Sequence, residues 1–326
     1  TAGDTHYSSK TANLTTWAVR GGVINIAPLS ALGFSSMPAT VVENSANGTL
    51  VGTLTVVDPD EGDTHAYQLL DDADGRFVIT NGNQVVVANG KLLDFELAFS
   101  HDITVRATDN AGNTTDAVLT VTINDVNEIP TVNLDANDSS AAGGHDFDTT
   151  FSAGGAAVTI ADVDAALADV DVGAQIASLS VILTARPDGD GVESLSLNAT
   201  ATTAASGLTV GYTAASGVLS VSGNATPATY QSILRGVQYN NTDAAMLITT
   251  GILTINVFAN DGTANSLTAV YTVNVVTAPV VSLPAAAYQE GDGTTLEAAS
   301  ATVTEPDLDN LNLMTITLSN PLDAGE

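Results

Sequence analysis

Short runs in which Val, Ile, Leu and Thr alternate with other residues recur along this chain, each cut off by Gly, Asn or Asp. A two-residue period places successive side chains on opposite faces of a strand and does not fit the 3.6-residue period of a helix. Residues 53–57, 77–80, 84–88, 103–107 and 117–123 are clear examples. Asn47-Gly48, Asn81-Gly82 and Asn89-Gly90 are turn dipeptides that tolerate positive φ. Strands of this length at roughly 8–12-residue spacing predict an all-β fold of sandwiches. Helical periodicity is confined to one short turn over residues 230–234, where Tyr230, Ile233 and Leu234 share a face.

Composition then excludes several function classes. The chain carries 37 acids against 7 bases, a net charge of −30. Phosphate binding needs clustered Lys and Arg, so neither nucleic acid nor an anionic membrane surface is a suitable partner. No run of 18 apolar residues is present, so no membrane insertion is expected in this segment. The hydrophobic content of 44% supplies cores and separates the chain from acidic disordered sequences. There is no cysteine, hence no disulfide framework, thiolate metal site or thiol nucleophile. His6, His65, His101 and His145 are far apart, and no nucleophile elbow, phosphate loop or His-Glu-x-x-His motif occurs. A glycosidase-like carboxylate pair remains open on composition, but at 5% aromatics the chain offers few sugar platforms. A non-enzyme is expected.

At 326 residues the chain has room for two to three domains. Two proline junctions look alike, Ile129-Pro130-Thr131-Val132 and Ala278-Pro279-Val280-Val281, and each follows a run of alternating β residues. Proline stops a ladder, which suits a hinge between modules. After each junction "AAVTIADVDAALADVD" (156–171) is echoed by "ASATVTEPDLDNLN" (299–312). The expected division is therefore the C-terminal remnant of an upstream domain plus a linker at 1–38, a sandwich at 39–130, a larger one at 131–279, and the truncated start of a third at 280–326. The whole reads as a segment of a longer tandem array.

Charge follows that division. Residues 39–130 hold 15 acids and 3 bases, net −12; 131–279 hold 13 and 2, net −11; 280–326 hold 8 and none, net −8; 1–38 hold 1 and 2, net +1. Thirteen of the 15 acids of 39–130 fall in short loops: Glu43; Asp58, Asp60, Glu61 and Asp63; Asp71, Asp72 and Asp74; Asp94 and Glu96; Asp109; Asp125 and Glu128. Carboxylates gathered at one end of a sandwich repel by about 1 kcal/mol per pair at about 4 Å in water, and by more when partly buried. A hard cation removes that repulsion. Calcium takes carboxylate, amide and carbonyl oxygens and needs neither His nor Cys, so Ca2+ fits this ligand set better than zinc or copper. Acids in loops that merely keep a secreted chain soluble are the alternative.

The ordered motifs "VVEN" (41–44), "VVDPDEGD" (56–63), "LLDFE" (92–96), "ATDNAGN" (107–113) and "INDVNEIP" (123–130) resemble the cadherin repeat, in the form found in large bacterial surface adhesins. That resemblance implies a seven-stranded Greek-key sandwich with calcium at the junctions between repeats. It implies that Glu43, Asp94 and Glu96 line the C-terminal end with Asp125, Asn127 and Glu128 of the linker. It places Asp58, Asp60 and Asp109 at the opposite, N-terminal end. The family's linker usually reads Asp-x-Asn-Asp-Asn-x-Pro. Here Glu128 stands for an Asp and the next Asn is missing, which implies one or two ions rather than three.

Residues 131–279 resemble cadherin-like or VCBS-like repeats of the same RTX-type giant adhesins, through "LDANDSS" (134–140), "IADVDAALADVD" (160–171), "DGDGVESLSL" (188–197) and "ANDGTANS" (259–266). Asp162, Asp164, Asp169 and Asp171 form a dense carboxylate set there, with Asp135, Asp138 and Asp261 as partners near the junctions. Glu290, Glu305, Asp307 and Asp309 are the analogous metal candidates of the third module. Residues 6–22, with "HYSS" and "TTWAVRGG", resemble the C-terminal end of a lectin-like bacterial domain, which would make Trp17 a core residue of that domain.

Two functions are expected from these readings. One is a non-catalytic, extracellular, calcium-stiffened adhesin stalk at a bacterial cell surface. The other is a self-assembling subunit of a surface layer or filament. The corresponding partners are calcium, neighbouring repeats of the same chain, other copies of itself, and a cell-surface glycan or protein.

Overall fold

A computed structural model describes residues 28–37, 39–59, 62–152, 154–243, 253–276, 280–282 and 302–304. The chain divides into two compact units, Thr1–Val126 and Asn127–Glu326.

Unit 1 is a Greek-key β-sandwich. Its strands are β1 (Ser30–Phe34), β2 (Thr40–Val42), β3 (Leu50–Val57), β4 (Ala66–Asp71), β5 (Phe77–Thr80), β6 (Gln84–Val87), β7 (Ser100–Thr108) and β8 (Thr114–Asn124). One sheet runs β1-β3-β6-β5 and the other β2-β8-β7-β4. The alternation read from sequence is what fills the core: along β7, Ile103, Val105 and Ala107 point inward and are fully buried. Ile103 and Val105 meet Leu54, Phe77, Val85 and Leu93. Each such side chain contributes about 1.5–3 kcal/mol by leaving water.

The described residues of unit 1 form eight strands rather than seven because the first strand is split. β1 pairs antiparallel with β3, whereas β2 pairs parallel with β8 in the other sheet. Pro38, which has no N–H for a ladder, lies between them in the sequence. At the end of the stretch expected as remnant and linker, 1–38, Leu29 and Phe34 are buried. The upstream resemblance, including Trp17 and His6, lies outside the described residues.

Unit 2 begins with β9 (Thr131–Asn133), β10 (Phe147–Ser152), β11 (Val158–Thr159), β12 (Ala166–Ala168), β13 (Ile176–Leu183) and β14 (Glu193–Leu197). Then come α1 (Ala199–Ala204), β15 (Thr209–Thr213), β16 (Val218–Ala225), α2 (Pro227–Leu234), β17 (Val237–Asn241), β18 (Leu253–Asn260) and β19 (Ala269–Val276). A six-stranded sheet, β10-β19-β18-β13-β16-β15, faces the shorter sheet β11-β17-β14, with β12-β9 as a separate pair. Their core contains Phe151, Leu179, Val181, Tyr239 and Ile255, with Phe151 edge-on to Tyr239 at 5.2 Å. β20 (Val280–Ser282) pairs with β21 (Thr302–Thr304).

α2 is the helical turn expected from sequence, with Tyr230, Ile233 and Leu234 buried. Thr226 caps it by accepting from the Thr229 amide, and Pro227 occupies its first position, where the missing N–H costs nothing. α1 was not expected. Its sequence, ATATTA, lacks apolar periodicity, and its main signal is Asn198, whose side chain accepts from the Ala201 amide.

Candidate metal centres

Three carboxylates meet at one end of unit 1. Glu43 follows β2, Glu96 lies in the loop before β7, and Asp125 follows β8. One oxygen of each lies within 4.8 Å of the others. Glu43 is only 4% exposed. Its Oε2 accepts from the Phe95 amide at 3.0 Å and its Oε1 from the Val126 amide at 2.9 Å. The loop that presents Glu96 is shaped by Asp94, whose Oδ1 accepts from the Leu97 amide at 2.8 Å. Asp94 therefore folds the loop and is not part of the carboxylate group. Gly90, in the same connection, does not use the positive φ expected of Asn89-Gly90. A Cβ there would collide with the Ser45 carbonyl, so the residue is set by close approach. Asn81-Gly82 does turn as expected, with φ of 50° and 86°.

The opposite end of unit 1, at the far end of β7, gathers Asp58, Asp63 and Asp109, again within 4.8 Å. Asp109 is nearly buried. Its Oδ1 accepts from the Ala111 and Asn113 amides at 2.8 Å, and its Oδ2 from Asn113 Nδ2 at 2.7 Å. Burial works against its charge, but these bonds, with Gly112, outweigh burial and hold its carboxyl below the usual carboxylate range. Asp58 Oδ2 lies 2.8 Å from His65 Nε2. Asp63 was absent from the expected ligand set, although its loop was flagged. Asp60 lies outside the described residues.

Unit 2 contains two further groups. Asp135, Asp162 and Asp164 converge where the loop after β9 meets the loop before β12. Asp135 is fully buried and accepts from the Ser139 amide at 3.0 Å and the Ser140 amide at 2.7 Å. Burial opposes its charge, but Ser140 and Ser139 hold the carboxyl low. Asp138 is not in this group; it occupies a left-handed turn position at φ 53°.

Asp169, Asp171 and Asp261 form the other group. Asp261 accepts from the Thr263 and Ala264 amides and, at 2.9 Å, from Asn127 Nδ2. Despite burial, the Ala264, Asn127 and Thr263 bonds keep its carboxyl below the ordinary value. The Glu128 amide donates to Asp171 Oδ1 at 3.3 Å. Asn127, expected to serve the end of the first sandwich, here bonds within unit 2. Asp169 is different in kind. Burial, together with the charges of Asp171 and Asp261, pushes its carboxyl up, and its buried Oδ2 accepts no hydrogen bond from the described residues. Glu290, Glu305, Asp307 and Asp309 lie outside the described residues.

These groups fit a hard cation. Calcium–oxygen distances of roughly 2.3–2.6 Å put two ligands of one ion within about 5 Å of each other, which matches the spacing in all four groups. Among the described residues the groups contain no histidine, which disfavours zinc and copper.

One buried carboxyl escaped sequence reading as a site of its own. Glu193, at the start of β14, is fully buried; its Oε1 accepts from the Tyr239 hydroxyl at 3.2 Å and its Oε2 from the Asp188 amide at 3.2 Å. Asn241 Nδ2 donates to Asp188 Oδ2 at 2.7 Å. Burial pushes the Glu193 carboxyl up. This network joins β14 to β17 and stands apart from the carboxylate groups.

The cadherin domain family matches residues 37–124. Human protocadherin beta-1 is 38% identical over 99 residues, which is 28% of this chain and 12% of that protein. Among solved structures, the protocadherin gamma B4 extracellular domain aligns over 80% of this chain and 36% of its own, at 20% identity and a TM-score of 0.38. Mouse cadherin-23 EC22-24 aligns over 78% and 66%, at 19% identity and a TM-score of 0.39. Human protocadherin-24 EC1-2 aligns over 76% and 99%, at 14% identity and a TM-score of 0.40. Residues 37–124 are a cadherin-like repeat.

Proposed function

We propose that the chain is a non-catalytic, extracellular segment of a calcium-binding adhesin, in which ions at the ends of its modules stiffen an extended stalk. The observation that carries this reading is the convergence of Glu43, Glu96 and Asp125, three carboxylates from separate stretches of unit 1, within 4.8 Å. Such a set repels itself without a cation. The match of residues 37–124 to the cadherin domain supports the adhesive setting. The wider context, a large surface adhesin of the bacterial type, rests on the tandem echo in the sequence and on the motifs of 131–279.

The mechanism is linkage. An ion that binds the ordered junction and not the flexible one shifts the population toward the ordered form. Affinity on the order of 10⁻⁴–10⁻³ M, as for extracellular modules, suits a compartment with millimolar calcium.

Small-angle scattering in EDTA and in millimolar calcium, at two protein concentrations, tests the reading. At the lower protein concentration, a longer, stiffer particle in calcium than in EDTA, of the same mass, is the expected result. An unchanged profile would reduce the acids to solvating charge and sink the stalk reading.

A further inference from the structure

Between Glu193 and Asp243 the sequence carries no acid, in a chain with 37 acids among 326 residues. Arg235 is the one base in that stretch. The stretch builds β14, α1, β15, β16, α2 and β17, and ends the six-stranded sheet of unit 2 at β15. Among the described residues, β15 pairs on one side only, with β16. Five consecutive residue pairs, Thr209↔Ser222 through Thr213↔Val218, join the two strands without a register shift. Thr209, Val210, Gly211 and Thr213 are exposed, and Val210 is 43% exposed although it lies beside Tyr212 at the rim of the core.

Sheet edges are ordinarily protected by charge, bulges or shortness. The other described edges of the main sheets show such devices. β10 carries Asp148, β4 ends in Asp71, β5 follows Arg76, β1 has a register shift and β2 is three residues long. β15 has none of them. Arg186, which donates to the Ala215 carbonyl just after β15, is paired with Asp190 at 2.6 Å.

We propose that β15 is a self-association edge, pairing antiparallel with β15 of a second copy so that two six-stranded sheets become one. Charge decides the occupant. Two copies at −30 repel, and β15 with the segments around it in sequence adds no acid to that repulsion, the nearby Asp190 being paired with Arg186. A basic partner would find no anionic counterpart there. The pairing satisfies the open N–H and C=O row of each β15 and covers Val210. In a twofold arrangement centred on the strand, Gly211 faces its own copy. The proposal stands apart from calcium binding, so its test is run in EDTA.

The test is sedimentation velocity of the full chain from micromolar to near-millimolar concentration, at low and moderate salt. The expected result is a mass that doubles with concentration and dimerises more readily as salt rises, because screening removes repulsion. Val210→Asp is expected to remain monomeric, while Thr114→Asp, at an exposed position of β8, dimerises as wild type does. Since the chain has no cysteine, Gly211→Cys provides a second readout. Facing Cα atoms about 4.5–5.5 Å apart lie within disulfide reach, and a Cβ at Gly211 meets nothing closer than 3.9 Å. Mild oxidation is expected to give a covalent dimer with Gly211→Cys and not with Thr114→Cys. A wild-type chain that stays monomeric throughout, a Val210→Asp chain that still dimerises, or equal cross-linking at both cysteines would overturn the proposal. If Val210→Asp misfolds by circular dichroism, the cross-linking comparison decides.

Discussion

Glu43 Oε1 accepts the backbone amide of Val126 at 2.9 Å, across 83 positions of chain. With its other oxygen on Phe95, one nearly buried carboxylate ties the end of β2 to the loop before β7 and to the segment leaving β8.

Removing that carboxylate strands two donors. Glu43→Ala is expected to destabilise unit 1 by about 2 kcal/mol, within the usual cost of unsatisfied buried groups. Glu43→Gln keeps one acceptor and turns an NH₂ toward the second amide, so it is expected to cost less. Urea unfolding of both variants in EDTA checks the order; equal losses would show that the two amides find other partners.

Much of this arrangement was legible in the sequence. The alternation along β7 and β8 marked strands because one face of each is buried, and period two leaves no other reading. Glu43, Glu96 and Asp125 were expected at one end of a sandwich, and the fold brings them together. Other features were hidden for physical reasons. β1 was hidden because its bulged run SALGF lies next to Met37-Pro38 and shows no alternation. α1 was hidden because Ala and Thr give a helix no apolar stripe. The roles of Asp94 and Asp138 depend on whether a side chain caps its own turn or points across to another loop, which spacing does not encode. The Glu193–Tyr239 bond spans 46 positions and has no local signature.

Glu96→Gln tests the calcium reading without disturbing the fold. It retains shape and removes one charge from the group at the end of unit 1. Its melting temperature in EDTA is expected to equal or slightly exceed that of wild type, because one of the mutually repelling charges is gone. Calcium at ten times the wild-type Kd stabilises by about 1.4 kcal/mol, and most of that gain is expected to vanish in the variant. A hydrodynamic radius that responds to calcium as wild type does would count against a ligand role for Glu96.

The carboxyls of unit 2 titrate in opposite senses. Asp135 and Asp261 sit below the ordinary value of 3.8, so their contribution is present above that pH and is lost as pH falls through their lower folded values. Asp169 sits above 3.8, so its charged form disfavours folding at neutral pH, and protonation relieves this as pH falls through its raised value. In EDTA at pH 7, Asp169→Asn is therefore expected to melt higher than wild type, with the gap closing as the pH is lowered toward 4. In calcium the order is expected to reverse, because the variant loses a ligand. Thermal melts across pH with and without calcium check both signs.

Two buried tyrosines of unit 2 are expected to respond oppositely to loss of the hydroxyl. Tyr239 donates to the buried Glu193 carboxyl. Tyr271, stacked on Phe147 at 5.8 Å, has a buried hydroxyl with no hydrogen-bond partner among the described residues. An unsatisfied buried hydroxyl costs free energy that its removal recovers, whereas removing a donor leaves its acceptor stranded. Tyr239→Phe is expected to destabilise unit 2 by about 1–3 kcal/mol. Tyr271→Phe keeps the ring and its stacking, and is expected to be neutral or to raise the melting temperature. Calorimetry of the two variants side by side checks the contrast, and a clear loss for Tyr271→Phe would mean that its hydroxyl is satisfied in solution.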